Sequence, residues 1–239
     1  MYTAADTSSG TSTDTRRDVA YRVLKSRLLR GEFPLNQRLQ EERLGAELNM
    51  SRTPVREALA RLHAEGLVMR RRDGGFGPTT PEAEAIYELY EVRLVLELHA
   101  LSRPGKHPGT CHDAVRLDVL AEEWRALRAD PPEQADPSFV LLDESFHIAL
   151  AEAAGNASLV DLLRQVNDRI RLVRMMDFLT TDRVLATIDE HLDVVALARS
   201  GDLVTAGLAL SSHIEGSMAV VSERVKDAIA AMAHAGAAS

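Results

Sequence analysis

A single cysteine, Cys111, occurs in 239 residues, so no intramolecular disulfide can staple the fold. Aromatic residues are scarce, at 4%, and with Ala, Leu and Glu abundant the composition leans toward helix over sheet. No stretch approaches the roughly 18 uninterrupted apolar residues of a membrane span. Residues 1–15 are rich in Thr, Ser and Asp and hold no apolar segment, so they read as a disordered tail and not as a secretory signal. These shortages exclude a disulfide scaffold and a membrane protein, and they imply a reducing, cytoplasmic setting.

What is present is 45% hydrophobic residues, enough for packed cores, and a length that suits two domains. The net charge of −8 would disfavour nucleic acid if it were spread evenly. Between Arg16 and Arg72, however, 14 Lys and Arg stand against 7 Asp and Glu, a net of +7. From Asp73 onward the same counts are 14 and 27, a net of −13. A basic module followed by an acidic one implies that only the first meets phosphate, where neutralised charges release counterions.

In the basic module, Val19, Ala20, Val23, Leu24 and Leu28 recur at three- and four-residue steps and predict a helix from about Asp14 to Arg30, ended by Gly31. A second helix is predicted over about Gln40 to Asn49, with Leu44 and Leu48 inward. A turn at Met50 and Ser51 leads to a third. Its expected start is a Thr53 cap with Pro54 in the first position, where a missing N–H costs nothing. Val55, Leu59 and Leu62 form its buried stripe, and Arg52 and Arg56 project together away from that stripe. A helix bearing two cationic forks at its N-terminal end suits the major groove, where Arg bonds guanine bidentately. Surface solubility or pairing with Glu57 is the other reading of the two arginines. Leu67-Val68-Met69 and Gly75-Phe76-Gly77 flank Arg70-Arg71-Arg72-Asp73-Gly74, and the Asp-Gly pair predicts a tight hairpin, a basic wing for adjacent phosphates or the minor groove.

The run Ser51-Arg52-Thr53-Pro54-Val55-Arg56-Glu57-Ala58-Leu59, followed by Leu62 and Glu65-Gly66-Leu67-Val68, resembles the GntR family of bacterial winged-helix regulators over residues 16–78. The resemblance implies a winged helix-turn-helix in which Arg52, Thr53 and Arg56 contact DNA, Arg70, Arg71 and Arg72 line the wing, and Gly75 approaches the backbone near its tip. Where that family usually has Pro-Gly before the second helix, this chain has Asn36, a residue that tolerates left-handed backbone angles.

The acidic module, residues 79–239, predicts helices near Pro81 to Ser102, Ala114 to Ala129, Pro137 to Ala154, Ser158 to Met176, Arg183 to Ser200 and Leu203 to His234. Loop chemistry separates them at Arg103-Pro104-Gly105, Asp130-Pro131-Pro132, Gly155-Asn156 and Gly201-Asp202. The economical arrangement is an all-α antiparallel bundle, which makes the whole chain mainly α with one small β-hairpin. Asp143 and His147 stand four apart on one helical face; His191 and His213 follow in later helices. If these faces converge, three imidazoles and a carboxylate form a site for a first-row divalent ion.

Asp143-Glu144-Ser145-Phe146-His147, Glu190-His191 and Ser212-His213-Ile214 resemble, in order and separation, the FCD effector domain of the FadR-type branch of the same family. The resemblance implies that Asp143, His147, His191 and His213 hold zinc, nickel or a similar ion, and that a small carboxylate effector completes the coordination. Glu91-Val92-Arg93 with Leu96-Glu97 resembles the family's opening motif, and there Arg93 would clamp the effector carboxylate; an internal ion pair with Glu97 is its other reading. The two Pro-Gly pairs between Arg103 and Thr110 interrupt what is usually a continuing helix. His63, His99, His107, His112 and His234 match no ligand position and read as structural or surface residues, and Arg169, Arg171 and Arg174 have two readings, a solvated face, which is preferred, or a lining of the bundle cavity.

The leading function is a homodimeric, metal-containing transcription factor that binds a palindromic double-stranded operator and responds to a small acid. An enzyme using the ion to activate water is a second class, weakened by the lack of an HExxH pattern and by the unexplained basic module. A sensor of the metal itself is a third.

Overall fold

The computed structural model describes residues 15–237 other than 30, 35, 36, 73, 80–82, 107 and 108, with side chains through residue 226 except that of Ala83. Asn36, Asp73, His107 and the side chain of His234 therefore lie outside the described residues. The chain divides into two compact units at Thr79.

The first unit holds α1 (Arg16–Leu29), α2 (Glu41–Glu47), α3 (Arg52–Ala64), β1 (Val68–Arg70) and β2 (Phe76–Pro78). Its core is Ala20, Leu24 and Leu28 of α1 with Leu44, Val55, Ala58, Leu59 and Leu62. The buried stripe of α1 thus repeats at four residues through Ala20; Val19 and Val23 flank it and are only half-buried, as is Leu48 just past α2. The turn between α2 and α3 requires Gly45, because a Cβ there would stand 2.8 Å from the Met50 carbonyl oxygen. Asn49 adopts φ 53° in the same turn, a left-handed angle that Asn accepts. The N-cap of α3 is Ser51, in extended conformation, and not Thr53; Pro54 consequently occupies the third helical position. The physical reason is that the first turn of a helix leaves all its N–H groups free, so Pro fits there as well as at the first position.

The strands pair antiparallel with Met69 opposite Gly77, one residue later on each side than the sequence suggested. Leu39 adds a bridge to Phe76, its N–H donating to the Phe76 carbonyl at 2.8 Å. Gly74 and Gly75, at φ 83° and 80°, carry the chain round the tip.

The regular elements of the second unit among its described residues are all helical: α4 (Ala83–Lys106), α5 (Ala114–Ala129), α6 (Val140–Ala153), α7 (Ala157–Arg174), α8 (Thr181–Ser200) and α9 (Leu203–Ala237), with 3-10 turns at Pro137–Phe139 and Met175–Phe178. Asp113 caps α5 through Val115 N–H at 3.1 Å, and Asn156 caps α7 through Leu159 N–H at 3.2 Å. α4 runs past Pro104, where the sequence predicted a stop at Ser102. Proline frees the carbonyl four residues earlier, that of Ala100, and the His112 ring hydrogen-bonds to it, a structural role for His112. The core between the helices gathers Trp124, Phe139, Phe146 and Phe178 with Ile86, Leu120, Ile170, Ile188, Val194 and Leu210.

Candidate metal centre and nucleic-acid interface

α6 presents Asp143 and His147 one turn apart, α8 brings His191 and α9 brings His213, so that one ligand atom from each lies within 4.8 Å of the others. All four are buried, at 1%, 1%, 0% and 3% exposure. The three Nε2 atoms face the Asp143 carboxylate at 3.6 Å from His147, 3.6 Å from His191 and 3.8 Å from His213. Nε2 of His191 and of His213 are 3.2 Å apart. Two nitrogens bound to one ion at about 2.0–2.1 Å stand roughly 2.9 to 3.4 Å from each other, so this spacing fits a shared metal. Asp143 Oδ1 and His147 Nε2 are buried and without a hydrogen-bond partner, as donor atoms awaiting an ion would be.

The ring nitrogens turned away from this point are held by carboxylates. His147 Nδ1 is 2.5 Å from Glu97 Oε2 and His213 Nδ1 is 2.6 Å from Glu190 Oε2. A carboxylate there fixes the tautomer with the proton on Nδ1, which leaves the Nε2 lone pair for a metal. His191 is oriented by rings instead, stacked on Phe146 with centroids 3.8 Å apart and edged by Trp124 at 4.3 Å. Burial and the neighbouring imidazoles push His191 well below the usual imidazole range, and burial lowers His213 too, so both favour the neutral form that metals need. Burial alone would raise the Glu97 carboxyl, but His147 and Arg93 outweigh it and hold it at about 2.

Arg93, at 0% exposure, pairs through Nε with Glu97 Oε1 at 2.6 Å, while both of its terminal nitrogens are buried without a partner. The ion pair foreseen as an alternative to carboxylate clamping therefore uses one edge of the guanidinium and spares the other. Arg174 corrects the solvated reading of α7: at 1% exposure it donates to Asp143 and, at 3.4 Å, to Glu144. Arg171, half-buried, donates to Glu144 at 2.7 Å; Arg169 is exposed as expected. Arg183 holds Asp177 and Glu190, each at 3.1 Å. The inward reading of Arg174, placed second on sequence, is the one that holds, and the residue continues the buried stripe of Leu163, Asn167 and Ile170 at helical spacing.

In the first unit, Arg52, Thr53 and Arg56 are exposed on the first turns of α3, opposite buried Val55, Leu59 and Leu62. Arg52 is 3.8 Å from Glu41, a loose contact, and Arg56 has no ion-pair partner among the described residues. Arg70 and Arg72 are exposed on the wing, Arg70 lying over the Phe76 ring at 5.6 Å, whereas Arg71 is half-buried. Gly75 is exposed, and Arg38, which no motif singled out, sits beside it.

The basic helix-turn-helix with its wing and the helical bundle with its Asp and three His each fall within a family match: bacterial regulatory proteins of the gntR family over residues 16–77, and the FCD domain over residues 88–216. The chain belongs to the GntR family and carries an FCD domain. It is 29% identical to the Nta operon transcriptional regulator of Aminobacter aminovorans over 82% of this chain and 90% of that one. It is 25% identical to the transcriptional repressor GlaR of Escherichia coli over 81% and 90%. A GntR transcriptional regulator from Rhodococcus sp. RHA1 superposes with a TM-score of 0.72 at 25% identity, covering 87% of this chain and 98% of that one. GntR proteins of this type are DNA-binding transcriptional regulators and not enzymes, which sets aside the hydrolytic reading of the His and Asp cluster. No helix among the described residues is long and apolar enough to cross a membrane.

Proposed function

We propose that this GntR regulator controls operator affinity through a small carboxylate effector bound beside a divalent ion, zinc or nickel, held by Asp143, His147, His191 and His213. The observation that carries the reading is the pairing of this buried ligand set with a buried guanidinium, Arg93, whose two terminal nitrogens are free. Around the centre each carboxylate has a guanidinium partner: Glu97 has Arg93, Asp143 has Arg174, Glu144 has Arg171, and Asp177 and Glu190 share Arg183, which leaves the wall one negative charge in excess. A divalent ion bound there would more than offset that excess and supply positive charge, which favours an anion beside it. Arg93 orients that anion by a bidentate bond from its free edge, and Glu97, shared by Arg93 and His147, ties the effector-holding side chain to a ligand of the ion.

On the DNA side, Arg52, Thr53 and Arg56 enter the major groove while Arg70, Arg71, Arg72 and Gly75 of the wing meet the backbone. The protein acts in the cytoplasm as a homodimer on a palindromic operator, since one winged helix contacts too little DNA for specificity. Exposed Val95 on α4 and exposed Val204 and Leu208 on α9, a helix packed against α4, support an apolar face for the second copy.

Native mass spectrometry of the protein as purified, paired with operator-binding titrations, tests the reading. A dimer carrying one metal per chain, whose DNA affinity shifts with acid only when metal is present, is the expected outcome. A DNA affinity that follows metal with no acid present makes the ion itself the signal, and an unmetallated protein that still responds to acid overturns the site.

A further inference from the structure

Two arginines from separate parts of the chain come to rest on the glycines of the wing. The Gly75 carbonyl accepts from Arg71 N–H on the β1 side, at 3.2 Å, whereas the Phe76 carbonyl accepts from Leu39 N–H at 2.8 Å. Successive carbonyls of a strand point to opposite edges, so residues 37–39 run along the edge of β2 that β1 leaves open. Alternation then assigns the faces. Leu39 and Phe76 point into the core, at 2% and 5% exposure, and Arg38, Gly75 and Gly77 belong to the opposite face.

On that face each glycine is overlaid by an arginine. A Cβ on Gly75 would stand 3.4 Å from Arg38 Nε, and one on Gly77 would stand 3.4 Å from Arg71 Cδ and 3.6 Å from its Nη1. Gly77 is also tight against the Gln37 carbonyl oxygen, at 3.0 Å from the same Cβ position. Arg38 is exposed and Arg71 is half-buried. The two side chains thus reach β2 from its two edges, over positions two residues and about 6 to 7 Å apart. Gathering two like charges on one short strand costs Coulomb energy, which an anion between them recovers. Each guanidinium bonds a phosphate oxygen at about 2.7 to 2.9 Å, so a single phosphate spans a pair at this separation.

We propose that Arg38 and Arg71 together clamp one phosphate of the DNA backbone, with Gly75 and Gly77 as the bare floor that seats them. The inference rests on the wing meeting the backbone, as proposed above, and adds to it the segment that leads into α2. A phosphate suits the pair better than a base edge, because Arg71 lies back along the hairpin over Gly77 and not out from its tip. A backbone contact carries no sequence information, so it strengthens binding to any duplex.

Fluorescence-anisotropy titration of the full-length protein on a random-sequence duplex, repeated from about 50 mM to about 200 mM salt, tests this. Each neutralised phosphate contributes about 0.9 to the slope of log affinity against log salt. Arg38→Gln with Arg71→Gln should therefore lower the slope by about 0.9, one phosphate's worth, and weaken binding about eightfold at about 0.1 M salt. Arg38→Gln alone, at an exposed position, should show part or all of that loss with an unchanged thermal midpoint, and Arg38→Lys should keep most of the parental slope. A fall of about 1.8 in the double variant means two separate phosphates and overturns the shared clamp. An unchanged slope in Arg38→Gln, when Arg70→Gln with Arg72→Gln lowers it, overturns the role of Arg38 and leaves the wing on DNA. No change in any of these variants removes the wing from the backbone, and this inference with it.

Discussion

Arg56 stands in solvent on the first turns of α3, whereas Arg174 is 1% exposed and reaches Asp143 and Glu144 inside the bundle. The exposed guanidinium keeps its hydration in the folded protein, so folding owes it nothing. The buried one lost its water when the protein folded and depends on two carboxylates to offset that loss. In the DNA-binding unit, then, function can be removed without touching stability, while in the helical unit the candidate ligands also hold the core together. Breaking one partner from each set measures the contrast.

The largest effect is expected from Asp143→Ala, which strips Arg174 of its principal partner and costs about 3 to 5 kcal/mol, as for other broken buried pairs. Urea unfolding followed by the fluorescence of Trp124, the lone tryptophan and a neighbour of His191, reports this in the helical unit specifically. A loss below about 1 kcal/mol would mean that water reaches Arg174 and that the pair is not buried in solution. Next in size, zinc at a hundred times its dissociation constant should stabilise the same transition by about 2.7 kcal/mol. His213→Ala should erase that gain, and a gain that persists removes His213 from the ligand set.

Arg56→Ala belongs to the other side of the comparison. Specific operator affinity should fall by about 1 to 3 kcal/mol while random-sequence binding falls less, as measured by competition titration. Folding stability should stay within about 0.5 kcal/mol, because nothing buried changes. Equal losses on both kinds of DNA would assign Arg56 to phosphate, and a destabilised protein would abolish the distinction between the two arginines.

The two units also differed in how far their sequence could be read. Recognition of α3 needed only local information: a stripe at Val55, Leu59 and Leu62, a turn before it and a cationic run on the opposite face. The error there was the cap, Ser51 for Thr53, since a proline is equally at home anywhere in a first turn. In the bundle, the i, i+4 spacing showed that Asp143 and His147 share a face, but no local rule brings in α8 and α9; family resemblance supplied His191 and His213. For Arg174 the helical stripe of Leu163, Asn167 and Ile170 pointed inward, but its charge made the solvated reading the preferred one. An arginine reads as solvated until the carboxylates that bury it are known, and Asp143 and Glu144 lie 31 and 30 residues away in another helix. Pro104 likewise reads as a helix stop until His112 is seen to take the Ala100 carbonyl that proline frees.

The smallest expected effect concerns acid. In zinc-free protein, burial holds His191 well below the ordinary imidazole value and lowers His213, so near pH 6.5 the unfolded chain binds protons that the folded chain does not. Stability from these groups is therefore fully present above that pH and is lost as pH falls below it. Glu97 behaves as a depressed acid: held at about 2, it contributes stability above the ordinary carboxylate value and loses it only as pH drops from there toward 2. The two windows separate. Between about pH 7.5 and about pH 5.5 the histidines of the unfolded chain take up protons and Glu97 does not. The described residues of the DNA-binding unit include no buried histidine, so the acid response should sit in the helical unit. With chelator present, the Trp124 melting midpoint should decline across that interval, and His191→Phe, which keeps a ring against Phe146, should flatten the decline. A midpoint that holds steady in the parent would show that both imidazoles are hydrated, and a hydrated pair is not the dry, neutral ligand set that the proposed metal site requires.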